Sequence, residues 1–335
     1  MPKRVSWSIE RLEKIALLAF ASFDIDTRDA KCTLLSGGLM NCTLRVQSSA
    51  GDYCVRLRPD ELGPTSQLFA AERLALPHIL RAGLACARLL GTISMEMEQC
   101  WLAAIFETVD GTRLDLVLSD GTEEEKFACA RMLGRDLASL HAIPSEGFGT
   151  LESVDSVDCS TFLGRLLSAE LEPLARIHPS IARLFERRIH SVVRNYQGST
   201  RRPCVVHGDV HGRNIIRYGD RLVWLDWEAC RYRLPEFDFA QLPFMMWRHD
   251  SRIEEEVIRS YCLGYEHSFR LDAELLHLVQ IYWHIRFGLF LQNCKVDVDS
   301  TYFGTFSEHL VRATSLLEAS PEHWALCLES GTSLL

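Results

Sequence analysis

The chain has 335 residues, 47% hydrophobic and 24% charged, with 45 Asp and Glu against 36 Lys and Arg and a formal net charge of −9. Such a length exceeds what one hydrophobic core usually organises, so two subdomains are expected, and the composition is globular rather than disordered or fibrous. The acidic balance argues against a nucleic-acid partner, and no run reaches the ~18 apolar residues that a membrane span needs.

From the N-terminus, Ile9, Leu12, Ile15, Ala16, Ala19 and Phe20 recur at helical spacing with Glu10, Arg11, Glu13 and Lys14 between them. This predicts an amphipathic helix packed on the first lobe rather than a signal peptide. Residues 31 to 57, KCTLLSGGLMNCTLRVQSSAGDYCVRL, suggest three antiparallel strands with turns at Ser36 to Gly38 and Ser48 to Asp52. Gly37 and Gly38 would let backbone N–H groups approach a phosphate, although an ordinary hairpin accounts for the pair equally well. Arg56, between Val55 and Leu57, reads either as a phosphate-gripping cation or as the solvent-facing arginine of an edge strand. A helix beginning near Pro64 and Thr65 is expected to carry Phe69, Leu76 and Leu80 on one face, with Glu72 inside it and Arg73 as an ordinary surface charge. The strand Trp101 to Phe106 then enters a turn through Glu107, Thr108, Val109, Asp110 and Gly111.

From about residue 113 the apolar period changes from two to three or four. Thr122 with Glu125 makes a capping box before Phe127, Ala130, Leu133, Leu137, Leu140 and His141, and His141 reads as a core-facing residue at the helix end rather than a ligand. Further helices are expected over 162–177, 181–196, 253–267, 273–293 and 306–319. Twelve cysteines scattered from Cys32 to Cys327 without a CxxC pair argue against zinc ribbons and a disulfide framework, and suit free thiols in a reducing cytoplasm.

Among these helical stretches lies VVHGDVHGRNIIRYGDRLVWLD, Val205 to Asp226. Asp209 sits five residues before Asn214 on a loop, and Asp226 follows the apolar run Leu222 to Leu225, entered through the turn residues Tyr218, Gly219 and Asp220. Two short strands joined by a hairpin would bring Asn214 and Asp226 to one end of the ribbon. Carboxylate and carboxamide oxygens at such a place suit Mg²⁺, and phosphoryl transfer needs metal ions on the phosphates and an oriented acceptor hydroxyl. His207 reads as a buried brace between backbone segments rather than a proton carrier.

HGDVHGRN followed by LDWE resembles the aminoglycoside phosphotransferase and choline kinase family more than the protein kinases, which carry HRD and DFG there. SGGLMN before a strand looks like that family's nucleotide loop, and Pro235 to Ala240, PEFDFA, resembles its "fDlA" stretch. The resemblance implies an α+β, protein-kinase-like fold of two lobes. An N-terminal antiparallel β-sheet lobe with helices would span 1–106, a hinge 107–112, and a larger, mainly helical catalytic lobe 113–335.

The same resemblance implies roles. Asp209 would accept or orient the hydroxyl proton, and Asn214 and Asp226 would hold Mg²⁺ under ATP or GTP. Arg56, where aminoglycoside members commonly carry Lys and choline kinases Arg, would clamp the phosphates with Glu72 positioning it. Ser36, Gly37, Gly38 and Asn41 would form the nucleotide loop, backbone atoms of Glu107 and Val109 would meet adenine, and His207 and Asp238 would brace the catalytic loop. The implied reaction is transfer of a γ-phosphate to the hydroxyl of a small molecule. An antibiotic-modifying enzyme of the aminoglycoside type, associated with resistance, comes first. A metabolic kinase for choline, ethanolamine, thiamine or a sugar is its rival, and a non-catalytic pseudokinase stands third.

Substrate-side expectations rest on charge and aromatic content. From Arg231 onward there are fifteen Asp and Glu against nine Lys and Arg, which predicts an acidic wall attractive to a polyamine-like or quaternary cation. Glu254, Glu255 and Glu256 read as a solvated helix face. Tyr282, Trp283 and Phe287, with Trp247 upstream, read as core or as an aromatic surface for a cation or flat ring. Arg213, like His211, falls inside the catalytic loop, where it would reach a phosphate or solvent.

Overall fold

A computed structural model describes residues 7–35, 41–59, 66–156, 158–246, 250–264, 271–294 and 299–322. Helix α1 (Ile9–Ala21) starts at Ser8, whose side chain accepts from the Arg11 N–H, and it buries Leu12, Ile15, Ala16, Ala19 and Phe20 as their spacing predicts. Ile9, in the free first turn, is 45% exposed.

Strands β1 (Lys31–Leu35), β2 (Cys42–Ser48) and β3 (Gly51–Pro59) follow, with Ser49 and Ala50 as the turn between β2 and β3. Helix α2 (Ser66–Arg81) and strands β4 (Ala85–Cys86), β5 (Leu89–Glu96) and β6 (Cys100–Glu107) come next. The antiparallel sheet has the order β1-β2-β3-β6-β5, so β3 is central and Arg56 lies between Thr43 and Ala104. Val55 and Leu57 pack with α1 on one face, and the strand period of two turns Arg56 to the other. On α2 the buried positions are Phe69, Glu72, Ala75 and Ile79. Leu80, expected on that face, is 72% exposed because it lies one residue beyond this stripe.

The second half contains β7 (Thr112–Arg113), α3 (Leu114–Asp120) and α4 (Glu123–His141), the last starting in the Thr122–Glu125 capping box. After β8 (Phe148–Thr150) and β9 (Val154–Ser156), the single helix expected over 162–177 is two, α5 (Cys159–Ser168) and α6 (Leu171–Ile177). Pro173 lacks the N–H that would continue a helix and is tolerated only in a first turn, where α6 puts it. Helix α7 (Pro179–Arg194), β10 (Cys204–Val206), the hairpin of β11 (Ile215–Tyr218) and β12 (Arg221–Trp224), and β13 (Arg231–Arg233) carry the chain to the site. The remaining helices are α8 (Glu236–Phe239), α9 (Leu242–Met245), α10 (Ser251–Gly264), α11 (Ala273–Asn293), α12 (Ser300–Phe303) and α13 (Phe306–Glu318).

Helix α11 is buried on most of its circumference, which makes it a core helix. Helix α10 lies against α4 at Gly134, where a Cβ would meet the Val257 carbonyl at 2.4 Å. Glu254 sits on the packed face with Ile258 and Tyr261 and is 4% exposed, so only Glu255 of the acidic triplet is fully solvated. Strand β4 pairs in parallel with β12, tying the end of α2 to the β11–β12 hairpin. No described helix is long and apolar enough to cross a membrane. The described cysteines are free, with Cys129, Cys159, Cys204 and Cys230 buried.

Candidate active site

The loop after β10 is held from behind by Asp238, which is fully buried. Its carboxylate accepts from the backbone N–H of His207 at 2.8 Å and of Gly208 at 2.7 Å, and from His141 Nε2 at 3.0 Å. His141 therefore faces the core, as its helix-end position suggests. His207 Nε2 donates to the Leu225 carbonyl at 2.9 Å while Nδ1 accepts from the Asp209 N–H at 3.2 Å, so the imidazole ties the loop to the hairpin. Burial holds its pKa below the usual value and keeps it neutral. Gly208 adopts φ +82°, and a Cβ there would meet the Ala229 carbonyl at 2.3 Å.

Hairpin geometry does the rest. Gly219 turns the chain at φ +61°, Ile215 pairs with Trp224, and the Leu225 N–H bonds the Asn214 carbonyl at 2.8 Å. Asn214 and Asp226 thus leave the same end of the ribbon. The Asn214 amide donates to the Asp209 carboxylate at 3.0 Å and its carbonyl at 3.1 Å, which leaves the Asn214 side-chain oxygen free of those bonds. Asp226 has φ +62° and ψ +62°, a left-handed conformation unusual for a residue with a Cβ and one that recurs at functional sites. Burial would raise the Asp209 pKa. His211, with Nε2 3.5 Å away, His207 and Asn214 together overcome that and hold it below the ordinary carboxylate range. The Asp209 side chain is 42% exposed, to the cavity it faces.

Across the cleft, Arg56 donates to Glu72 at 2.9 Å and to Asp226 at 3.1 Å. Burial would lower its pKa, but Asp226, Glu72 and Glu228 together hold it above the usual value. Glu72, 4% exposed, also accepts from the Trp227 N–H at 3.2 Å. Burial raises its pKa against the pull of Arg56. Glu228 is pushed up to about 7 by burial first and by Asp226 second. Asn41 donates to Glu228 at 3.3 Å.

Asp226, Glu72 and Glu228 therefore gather around Arg56, with Arg58 also acting on Glu228, and the Glu72 Oε2 and Asn41 Oδ1 atoms are buried without a hydrogen bond. Among the described residues no group of three or more His, Cys, Asp or Glu could enclose an ion unaided. Excess carboxylate together with an incomplete ligand set fits Mg²⁺, which takes one or two protein carboxylates and completes its shell with phosphates and water.

A cavity of about 970 Å³ joins these groups to the helical half. Asn41, Arg56, Glu72, Glu107, Val109, Asp209, Asn214 and Asp226 all line it. The Glu107 N–H already bonds the Arg88 carbonyl at 3.0 Å, and no described backbone bond uses the Val109 N–H. Ser36, Gly37 and Gly38, like Pro64, Thr65 and Trp247, lie outside the described residues.

The substrate-side expectations need correction. From residue 231 onward the described lining contains Arg233 and Arg286 and no carboxylate. The acids of that region serve elsewhere: Asp272 and Asp299 cap helices, and Glu274 pairs with Arg188 at 2.8 Å. Arg213 lines the cavity and is engaged within the chain, bonding Asp299 at 2.6 Å and stacking 3.8 Å from the Tyr302 ring centre. Tyr282, Trp283 and Phe287 do line the cavity, with Trp283 and Phe287 stacked at 5.2 Å. Sequence reasoning overlooked Glu228, whose signal was its place two residues after Asp226, and Arg233, in the unexamined Arg-Tyr-Arg of β13.

Two lobes meeting at a cleft, with an acid-and-amide hairpin on one wall and an arginine–glutamate pair on the other, define a kinase-like phosphotransferase fold. Residues 31–273 match the model of the phosphotransferase enzyme family APH, and the chain belongs to that family. No curated protein sequence matches the chain. Solved structures with similar folds include a thermostable mutant of aminoglycoside phosphotransferase APH(4)-Ia, at 13% identity and TM-score 0.65, covering 90% of this chain and 98% of that one. The GDP and kanamycin complex of APH(2")-IIia aligns at 18% identity and TM-score 0.64, covering 90% and 98%. A choline/ethanolamine kinase family protein from Mesorhizobium loti aligns at 19% identity and TM-score 0.63, covering 95% and 98%.

Proposed function

We propose that this protein transfers the γ-phosphoryl group of Mg-ATP or Mg-GTP to a hydroxyl of a small molecule. The observation that carries the reading is the meeting of Asp209, Asn214 and Asp226 opposite the Arg56–Glu72 pair in one cavity. Asp209, ionised and turned to the cavity, accepts or orients the acceptor's hydroxyl proton. Asn214 fixes the Asp209 carboxylate and offers its free oxygen, with Asp226, to Mg²⁺. A bound Mg²⁺ would neutralise charge on the phosphates. Arg56 moves from Asp226 towards the phosphates, with Glu72 holding its other side. The Glu107 carbonyl and Val109 N–H are the backbone groups for the base, and residues 107–112 act as the hinge between lobes ending at 106 and beginning at 113.

Relatives in fold act, by name, on aminoglycosides and on choline or ethanolamine, so both an antibiotic-modifying and a metabolic kinase stand within this reading. A pseudokinase is disfavoured by the complete set of acids and amide. The test measures Mg²⁺-dependent nucleotide turnover, alone and with hydroxyl acceptors, in wild type and Asp209→Ala. Loss of about 10³-fold in kcat with nucleotide binding retained is expected. Unchanged turnover in the variant would remove Asp209 from the chemistry.

A further inference from the structure

The far wall of the cavity has its own charge balance. Arg231 and Arg233 stand two apart in β13 and so project from the same face of the strand. Arg286, on α11, is close enough that it and Arg231 each disfavour the charge on Arg233. Arg286 contacts Glu170 at 3.2 Å while also donating to the Tyr282 hydroxyl at 3.0 Å, and Arg231 is within electrostatic reach of Glu228 and Asp155, so both have acids of the chain beside them. Arg233 has no ion pair or side-chain hydrogen bond among the described residues, and its guanidinium lies 5.2 Å from the Phe237 ring centre. Burial, then Arg231 and Arg286, push its pKa down to about 10 against the opposing pull of Tyr282 and Asp238, so it stays charged at neutral pH. Arg233 is half-buried on the cavity wall, and a partly desolvated guanidinium without a direct counter-ion favours an anion beside it. Around it the wall is apolar: Phe237, Tyr282, Trp283, Phe287, Phe290 and Phe303 line the same cavity.

Resting on the phosphotransferase reading above, we infer that the acceptor is a hydroxyl compound with an aromatic or otherwise apolar body and an oxyanion, such as a carboxylate, held by Arg233 and Arg286. A polycation would bring its ammonium groups against the Arg233 guanidinium. An anion completes the pairing that the chain leaves open, and a planar guanidinium offers it two parallel hydrogen bonds.

Hydroxyphenylpropanoate and tyramine share a ring and a hydroxyl and differ in the sign of their charge, and kanamycin serves as the polycation. With Mg-ATP and wild-type protein, kcat/KM from ADP release is expected to be at least about tenfold higher for the acid than for either amine. Arg233→Met should abolish that preference and Arg233→Lys should retain most of it, the loss falling on kcat/KM for the acid. Calorimetry of Mg-ATP alone separates the two levels. Absence of nucleotide binding overturns the phosphotransferase reading and this inference with it. Nucleotide binding combined with a preference for amines, or with no response to the acid, overturns the acceptor assignment alone. A rise in KM for ATP as the sole effect of Arg233→Met would move that residue to the nucleotide and also overturn it.

Discussion

The two ends of the cavity are charged in opposite ways. Near the hairpin, Asp226, Glu72 and Glu228 surround Arg56, whereas near β13 and α11 the lining carries Arg233 and Arg286, of which Arg286 pairs with Glu170. Each imbalance indicates the sign of what is missing. Surplus carboxylate calls for a metal ion, and surplus guanidinium calls for an oxyanion, because an unmatched charge out of water costs more than a matched one. Arginine at the first end is held by protein acids, and at the second Arg286 has such a partner in Glu170 while Arg233 has no direct ion pair among the described residues.

Breaking the brace behind the first end should have the largest effect. Asp238→Ala strands the His207 and Gly208 N–H groups and His141 in the core, and a loss of about 4 kcal/mol is expected in urea unfolding. Stability within about 1 kcal/mol of wild type would show that the loop holds itself. Next, Arg56→Met leaves three acids without their cation, and KM for the nucleotide should rise about 30-fold, while Arg56→Lys recovers part of it. An unchanged KM would deny Arg56 the phosphates.

The same exchange at the other end should act in the opposite direction. Arg233→Met removes an unpaired charge, so the ligand-free protein should gain about 1 to 2 kcal/mol, read from thermal unfolding. Destabilisation instead would mean that Arg233 is matched within the chain. The smallest effect concerns Asp136, away from both ends, which accepts from the Trp224 indole N–H at 2.8 Å. Burial raises its pKa to about 6 against the opposing pull of Trp224 and Arg135. Because the folded value lies above the unfolded one, its contribution is full below about pH 4 and is lost as pH rises through 6. Asp136→Asn should therefore flatten the stability profile between pH 4 and 7 by about 1 to 2 kcal/mol, after allowance for solvent screening. A profile as steep as that of wild type would mean that Asp136 does not titrate there.

The chemistry of the first end was legible because it is local. Asp209, Asn214 and Asp226 lie within one loop and one hairpin, and turn residues such as Gly219 bring Asn214 and Asp226 to the same end of the ribbon, while Asp238 holds the loop from behind. The helix stripes and capping boxes were equally local, and α11 begins and ends where its pattern does. Contacts across the cleft were not, since Arg56 and Asp226 are 170 positions apart and only the packing of β3, α2 and the hairpin joins them. Substrate-side charge escaped altogether. Formal charge summed from residue 231 onward is acidic, yet helix caps and surface pairs consume those acids while β13 and α11 turn Arg233 and Arg286 inward. Sequence by itself determined which groups meet beside the hairpin, because their spacing is a property of neighbours along the chain. Which charges face the acceptor was decided by tertiary structure, because facing depends on how separate elements pack and no sum over residues records it.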